Sequence, residues 1–297
     1  MRQRFSSGSR SCGQLEGSRT ICTGGRRLIL LTAAAILLVI SYGVWIEPDQ
    51  VEINHIYPAN PALRRALSGK TAVHISDLHL APLDRHAIRL LETLKELKPD
   101  FIFLTGDYVP WNGSYEPALA FLAELDANVG VWAVMGDYDY SSDRKSCLFC
   151  HEPGTGQPTK RHRVRFLRNS IERASFEGGT LQIVGIEKES DQGESDSPQS
   201  RPHRSIAEGS IVLSHSPLAF DELADDKGVL VLAGDTHGGQ VRLPNWLWSL
   251  LGYEKNAKYG RGWFERGNNQ MYVNRGLGTS HVRFRLMCRP EIAVLHF

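Results

Sequence analysis

Acidic residues and histidines recur in short blocks, each placed directly after an apolar run. Asp77 and His79 stand in SDLH, Asp107 in TGD, Asp137 in MGDYD, His215 in LSHSP, and Asp235 and His237 in AGDTHGGQ. Carboxylate oxygens and imidazole nitrogens are ligands for divalent metals. Seven of them converging from five blocks are enough to hold two ions. A single Asp-x-His after a strand is ordinarily a turn with a surface histidine, and a single Gly-Asp is ordinarily just a turn. Five such blocks in order have no reason to arise from independent turns.

The elements that must position these blocks follow from the apolar pattern. Residues 71–76, 100–105 and 130–135 read as strands. Between them, residues 83–97 place Leu90, Leu91, Leu94 and Leu97 at helical spacing behind Asp84 as N-cap, and residues 116–125 form a second helix. Further strands are expected at 181–186, 210–214, 229–233, 271–274 and 291–295. Apolar strands alternating with helices imply an α/β fold whose strands are covered on their faces by helices. Ligands in such folds gather beyond the carboxyl ends of the strands. Residues 188–205, rich in Ser, Asp, Gln and Pro, read as a mobile surface loop.

The N-terminus differs in kind. Residues 1–27 carry Arg2, Arg4, Arg10, Arg19, Arg26 and Arg27 against the single acid Glu16, the pattern of a basic disordered tail. Residues 28–46 contain no charge and no polar face, and 19 of them suffice to cross a hydrocarbon core of about 30 Å. No small-x-small cleavage site follows, so the segment reads as an uncleaved membrane anchor in a cell (inner) membrane. Residues 47–70 read as a linker and 71–297 as the catalytic domain. Arg19, Arg26 and Arg27 precede the anchor while Glu47, Asp49 and Glu52 follow it, which by the positive-inside rule puts the domain outside the cytoplasm. A net charge of +1 gives no whole-chain basic bias towards nucleic acid, and five cysteines form no regular disulfide framework. Cys147, Cys150 and His151 spell CxxCH, open to reading as a haem attachment site, a zinc knuckle with His151 or His162, or two thiols lining a pocket.

DLH, GD, GDYD, SHSP and GDTHGGQ together resemble the ordered pattern of the calcineurin-like metallophosphoesterases, DxH, GD, GNHD, a histidine, then GHxH. GGQ after the last histidine and YVNRGLGTS before PEI make the chain most similar to the membrane-associated YaeI/YkuE-like branch, which includes UDP-2,3-diacylglucosamine pyrophosphatases. The resemblance implies a four-layer αββα sandwich of two mixed sheets with two divalent ions at the strand ends. By position, Asp77, His79 and His237 would hold the first ion, Asp137, His215 and Asp235 the second, and Asp107, the central catalytic residue, would bridge them.

Three positions depart from the pattern. Asp137 replaces the family asparagine, Tyr138 the histidine of GNHD, and Asp235 the first histidine of GHxH. Four carboxylates form a hard ligand set, which favours Mn or Mg over Zn. They also repel an anionic substrate, and Arg161, Arg163, Arg165 and Arg168 are candidates to offset that, or else a solvated basic strand or loop. In the family the histidine at Tyr138 assists the leaving oxygen. A phosphate leaving group, with a second pKa of about 6, departs without such help. The same histidine is absent from the family members that cleave UDP-2,3-diacylglucosamine, so Tyr138 joins the anchor in pointing to a lipid-linked pyrophosphate. Such nucleotides are made on the cytoplasmic face, against the charge rule. Alternatives are a phosphodiesterase or phosphatase on another substrate, and a non-catalytic metal-binding membrane protein.

Overall fold

The structure, a computed structural model, describes residues 18–81, 85–111, 113–140, 149–151, 157, 159–187, 205–224 and 226–297. The expected N-cap Asp84, most of the tail at 1–27 and nearly all of the loop at 188–205 lie outside the described residues. The chain divides into two units, one ending at Tyr42 and the other running Gly43–Phe297.

Helix α1 (Ser18–Trp45) extends the expected segment 28–46 towards the N-terminus, since no proline interrupts residues 18–27. Among the described residues it contains the one stretch long and apolar enough to cross a membrane, and its apolar residues from Leu28 to Ile40 are exposed.

Residues 47–70, expected to be a linker, are part of the second unit. Strand β1 (Glu52–Ile56) pairs in parallel with β12 (Glu291–His296), and helix α2 (Pro61–Ala66) buries Leu63. Asn60 caps α2, its side chain accepting from the amides of Ala62 and Leu63. The strand escapes a pattern reading because only Ile56 of its five residues is fully buried.

Two six-stranded mixed sheets follow, in agreement with the expected sandwich. The first has the order β1-β12-β2-β3-β4-β5, with β2 (Thr71–Ile75), β3 (Phe101–Leu104), β4 (Gly130–Ala133) and β5 (Arg165–Phe166) all parallel and β12 antiparallel to β2. The second has the order β10-β11-β9-β8-β7-β6. Here β7 (Gly179–Ile186), β8 (Ile211–Ser214), β9 (Leu230–Ala233) and β11 (Asn269–Val273) run parallel, while β6 (Ser170–Phe176) and β10 (Gly262–Arg266) are antiparallel edges.

Alternation along each strand assigns the layers. Phe101 and Phe103 of β3 face inward and meet Trp132, Leu213 and Leu232 in a core between the sheets. Ile102 and Leu104 face outward, under Leu90, Leu91 and Leu94 of α3 (Arg85–Leu97) and Phe121 and Leu122 of α4 (Glu116–Ala123). On the far side Val212 and Val231 pack against Phe220 of α5 (Ala219–Glu222) and Tyr259 of α7 (Glu254–Tyr259). Both faces of each sheet are covered, which is why the central strands read as unbroken apolar runs.

Candidate metal centre

The loops leaving β2, β3, β4, β8 and β9 bring all seven expected ligands to one end of the sheets. In one group, ligand atoms of Asp77, His79, Asp107 and His237 lie within 4.8 Å of one another. Asp137, His215 and Asp235 do the same in a second group. Asp107 stands between the groups, its Oδ2 3.6 Å from His79 Nε2 and 3.5 Å from His215 Nε2. His237 Nε2 lies 3.4 Å from Asp77 Oδ1 and 3.1 Å from His79 Nε2.

The backbone is bent sharply to do this. Asp77, His79, Asp107, Asp235 and His237 all have φ between 43 and 72°, half of the ten non-glycine residues in the left-handed region among the described residues. Each such residue costs about 1–3 kcal/mol and persists only where surrounding contacts hold it. Those contacts are present: Asp77 N donates to Gly106 O and His79 N to Asp107 O, each at 2.9 Å, extending the ladder between β2 and β3 past the strand ends. The glycines of the Gly-Asp blocks have a steric reason. A Cβ on Gly136 would lie 2.1 Å from Asp107 Oδ1, and one on Gly234 would lie 1.9 Å from Ser76 Oγ.

Asp139, given no role from sequence, ties two of these loops together. Its buried carboxylate accepts from the amides of Asp107 at 2.7 Å, Tyr108 at 2.8 Å and Gly136 at 2.8 Å. Burial outweighs those donors and pushes its carboxyl up to about 6. Arg285 was also missed. Fully buried, its guanidinium donates to the carbonyls of Arg275, Gly276, Gly278 and Cys288, fixing the NRGLG segment. That segment in turn wraps Asp77, since Gly278 N donates to Asp77 O at 2.7 Å.

The donor set fits two divalent cations. His215 Nδ1 is hydrogen-bonded to Thr105 O at 2.7 Å, while its buried Nε2, facing Asp107, has no hydrogen-bond partner. Orientation of one ring nitrogen by a carbonyl, leaving the other for an ion, is the usual arrangement of a ligating histidine. His79 is held the same way by Val109 O at 3.1 Å. Burial lowers His79 to about 4 and holds His237 well below the ordinary histidine range, so both rings are neutral and ready to ligate. Burial also raises Asp77 to about 6 and Asp107 well above the usual carboxylate range. At His215 burial works downward, but Asp107, Asp235, Asp77 and Asp137 outweigh it and carry the imidazole up to about 10. Without cations, the cluster recruits protons to balance its carboxylates.

Asp235 has a second partner. The Lys255 ammonium of α7 rests directly on Asp235 Oδ2. Tyr138 borders the centre, its ring 5.4 Å from that of His79 and 5.3 Å from Trp111, with His281 at 6.4 Å. The arginines are matched elsewhere. Arg161 pairs with Glu116 at 2.6 Å, Arg165 with Glu172 at 3.1 Å and Arg168 with Glu187 at 2.8 Å, while Arg163 is exposed. Arg161, Arg163 and Arg165 are exposed and alternate with the buried His162 and Val164, in a loop that enters β5 only at Arg165.

Residues 70–239 match the family described as Calcineurin-like phosphoesterase. The chain belongs to that family. It is 26% identical over 261 residues to the uncharacterized metallophosphoesterase YkuE of Bacillus subtilis strain 168, covering 85% of this chain and 87% of that one. Identity to the UDP-2,3-diacylglucosamine pyrophosphatase LpxG of Chlamydia trachomatis is 27% over 308 residues, covering 85% and 92%. Identity to the phosphodiesterase YaeI of Escherichia coli K12 is 27% over 291 residues, covering 91% and 97%. The protein is therefore a metal-dependent phosphohydrolase, with a buried His and Asp cluster suited to divalent ions.

Cys147 lies outside the described residues. Cys150 is disulfide-bonded, which leaves it no thiolate for zinc or thioether for haem. His162 has both ring nitrogens engaged, by Phe149 O at 3.1 Å and Val164 N at 3.2 Å. Cys150, His151, Arg165 and Arg168 instead line a surface cavity of about 400 Å³ beside β5.

Proposed function

We propose that the protein is a membrane-anchored pyrophosphohydrolase that cleaves a lipid-linked nucleotide of the UDP-2,3-diacylglucosamine type to UMP and a lipid sugar 1-phosphate. The observation that carries this reading is Tyr138 beside His79, where the family pattern has a histidine. Burial and the nearby carboxylates of Asp107 and Asp137 raise its phenol, so it stays protonated at neutral pH and acts as a hydrogen-bond donor. Such a site suits a leaving group that departs as an anion.

Asp77, His79, Asp107 and His237, and Asp137, His215 and Asp235, would hold two divalent ions, for which this oxygen-rich set favours Mn or Mg and which when bound would activate water and neutralise phosphate charge. Asp107 fixes the spacing between the two donor groups. Asp139 holds the Asp107 and Gly136 backbones, and Lys255 offsets the charge of Asp235. The relative named as a UDP-2,3-diacylglucosamine pyrophosphatase supports the same substrate class.

A second reading is a phosphodiesterase acting outside the cytoplasm. The order of charges across α1 and the disulfide at Cys150, a bond that persists in oxidising compartments, favour it. Incubating the full chain in vesicles with UDP-2,3-diacylglucosamine and each metal, with products read by mass spectrometry, separates the two. UMP and lipid phosphate are expected. Turnover of simple phosphodiesters alone would overturn the substrate assignment.

A further inference from the structure

Several of the large apolar side chains that the catalytic unit exposes fall on one short helix and the turn after it. In α6 (Asn245–Leu250) and the turn after it, Trp246, Leu250, Leu251 and Tyr253 are exposed, Leu250 by 74%, and none of the helix's residues is buried. This helix is not loosely attached. Trp248 packs so closely on the metal-site loop that a Cβ on Gly239 would lie 2.3 Å from its ring, and it meets Tyr253 edge-on at 5.7 Å. The fold thus anchors one tryptophan and leaves its neighbours facing outward.

The segment leading into α6 is joined through residues 283–286 to the place where α1 ends. Val241 bridges to Leu286, and Arg242 N donates to Leu286 O at 3.0 Å. From the same segment, Arg285 N donates to Gly43 O at 2.9 Å, and Arg283 bonds Val44 O and pairs with Asp49 at 2.6 Å. Val282, Met287, Trp45 and Ile46 are exposed here too. Residues joined to the last turn of a membrane-spanning helix stand at the level of the lipid headgroups. Trp and Tyr ringed by Leu, with exposed Arg242 and Arg283 alongside, is the composition that settles in that layer.

We propose that α6 and the turn following it, together with Val282 and Met287, form a second membrane contact that lies in the interfacial layer of the bilayer holding α1. The contact rests on α1 as the anchor and is independent of the substrate. Through Trp248 and Gly239 it sets the loop carrying His237 close to the headgroups.

The test uses the full chain reconstituted in vesicles of phosphatidylethanolamine and phosphatidylglycerol carrying acyl-chain bromine, with tryptophan fluorescence as the readout. Trp246→Phe is expected to remove part of the bromine-quenched emission, whereas Trp263→Phe on β10 leaves that amplitude unchanged. Leu250→Asn with Leu251→Asn is expected to reduce quenching of Trp246 while turnover of a soluble phosphodiester in detergent is retained. Equal quenched amplitude in wild type and Trp246→Phe would overturn the contact. Shielding of Trp246 from iodide without bromine quenching would also overturn it, in favour of a second copy of the chain. Loss of Trp45 quenching as well would overturn the anchor reading itself.

Discussion

The Lys255 ammonium sits on the Asp235 carboxylate, at the position where the family pattern places a neutral histidine. An aspartate with a lysine on it carries the same net charge as an imidazole, so the two residues form one unit. Asp235→His alone sets a neutral ring against an unmatched ammonium, and Lys255→Met alone leaves an extra negative charge. Asp235→His alone is expected to lower metal affinity, whereas Lys255→Met alone, which frees the carboxylate, is expected to raise it. The double variant, with neither the carboxylate nor the ammonium, should bind metal more tightly than Asp235→His. Metal titration of the four proteins checks this, and equal affinity of Asp235→His and the double variant would contradict it.

Asp139 predicts a defect transmitted through the backbone. Asp139→Asn keeps the shape but puts an N–H₂ donor among amides that need an acceptor. The loops carrying Asp107 and Asp137 then lose their common tie. Losses of about 10- to 100-fold in metal affinity or activity are typical when the partner behind a ligand is removed. Wild-type metal content in Asp139→Asn would show that Asp107 and Asp137 hold their places without it.

The blocks at the strand ends were legible because Asp, His and Gly each leave a local mark: ligands follow an apolar run, and glycine stands where another loop's atoms pass. Asp139 left none, because its partners at Asp107 and Tyr108 lie about thirty residues away in sequence. The arginines were visible as charges, but Glu116, Glu172 and Glu187, which match three of them, come from elsewhere in the fold. Strands β1 and β6 escaped for a different reason. As edges they bury few side chains, with Ile56 and Ala174 the only fully buried residues of each.

Metal removal should matter more as pH rises. In the metal-free fold Asp77 and Asp139 stand at about 6, above the usual 3.8, so the stability they contribute at low pH is lost as pH rises through about 6. His215, at about 10 instead of 6.5, contributes stability that is then lost between those values. Bound cations act in the opposite sense, since ligands bind them once deprotonated. The difference in Tm between loaded and chelated protein is therefore expected to widen from pH 5 to pH 8. A gap that narrows over that range would contradict the assignment of Asp77 and His215 as ligands.

Asp107→Ala removes the carboxylate shared by the two groups. Metal content and turnover should both fall to background, while the fold, held by cores that do not include Asp107, keeps its cooperative melt. Full activity of Asp107→Ala in the presence of a chelator would overturn the two-ion reading.

Tyr138 separates leaving groups. Its raised phenol keeps its proton, and its ring is packed among His79, Trp111 and His281, so it shapes the site. If a phosphate leaves without a proton, Tyr138→Phe retains pyrophosphate cleavage within about tenfold, because only positioning is lost. Tyr138→His restores a group that titrates near neutrality, worth up to about 10²–10⁴-fold where proton transfer limits the rate. An alkyl phosphodiester should therefore gain more from Tyr138→His than a pyrophosphate does. The ratio of the two rates is the decisive readout, since a packing defect beside His79 would depress both together. If Tyr138→Phe abolished pyrophosphate cleavage with metal content intact, the phenol itself would be the proton donor and the leaving-group argument would fail.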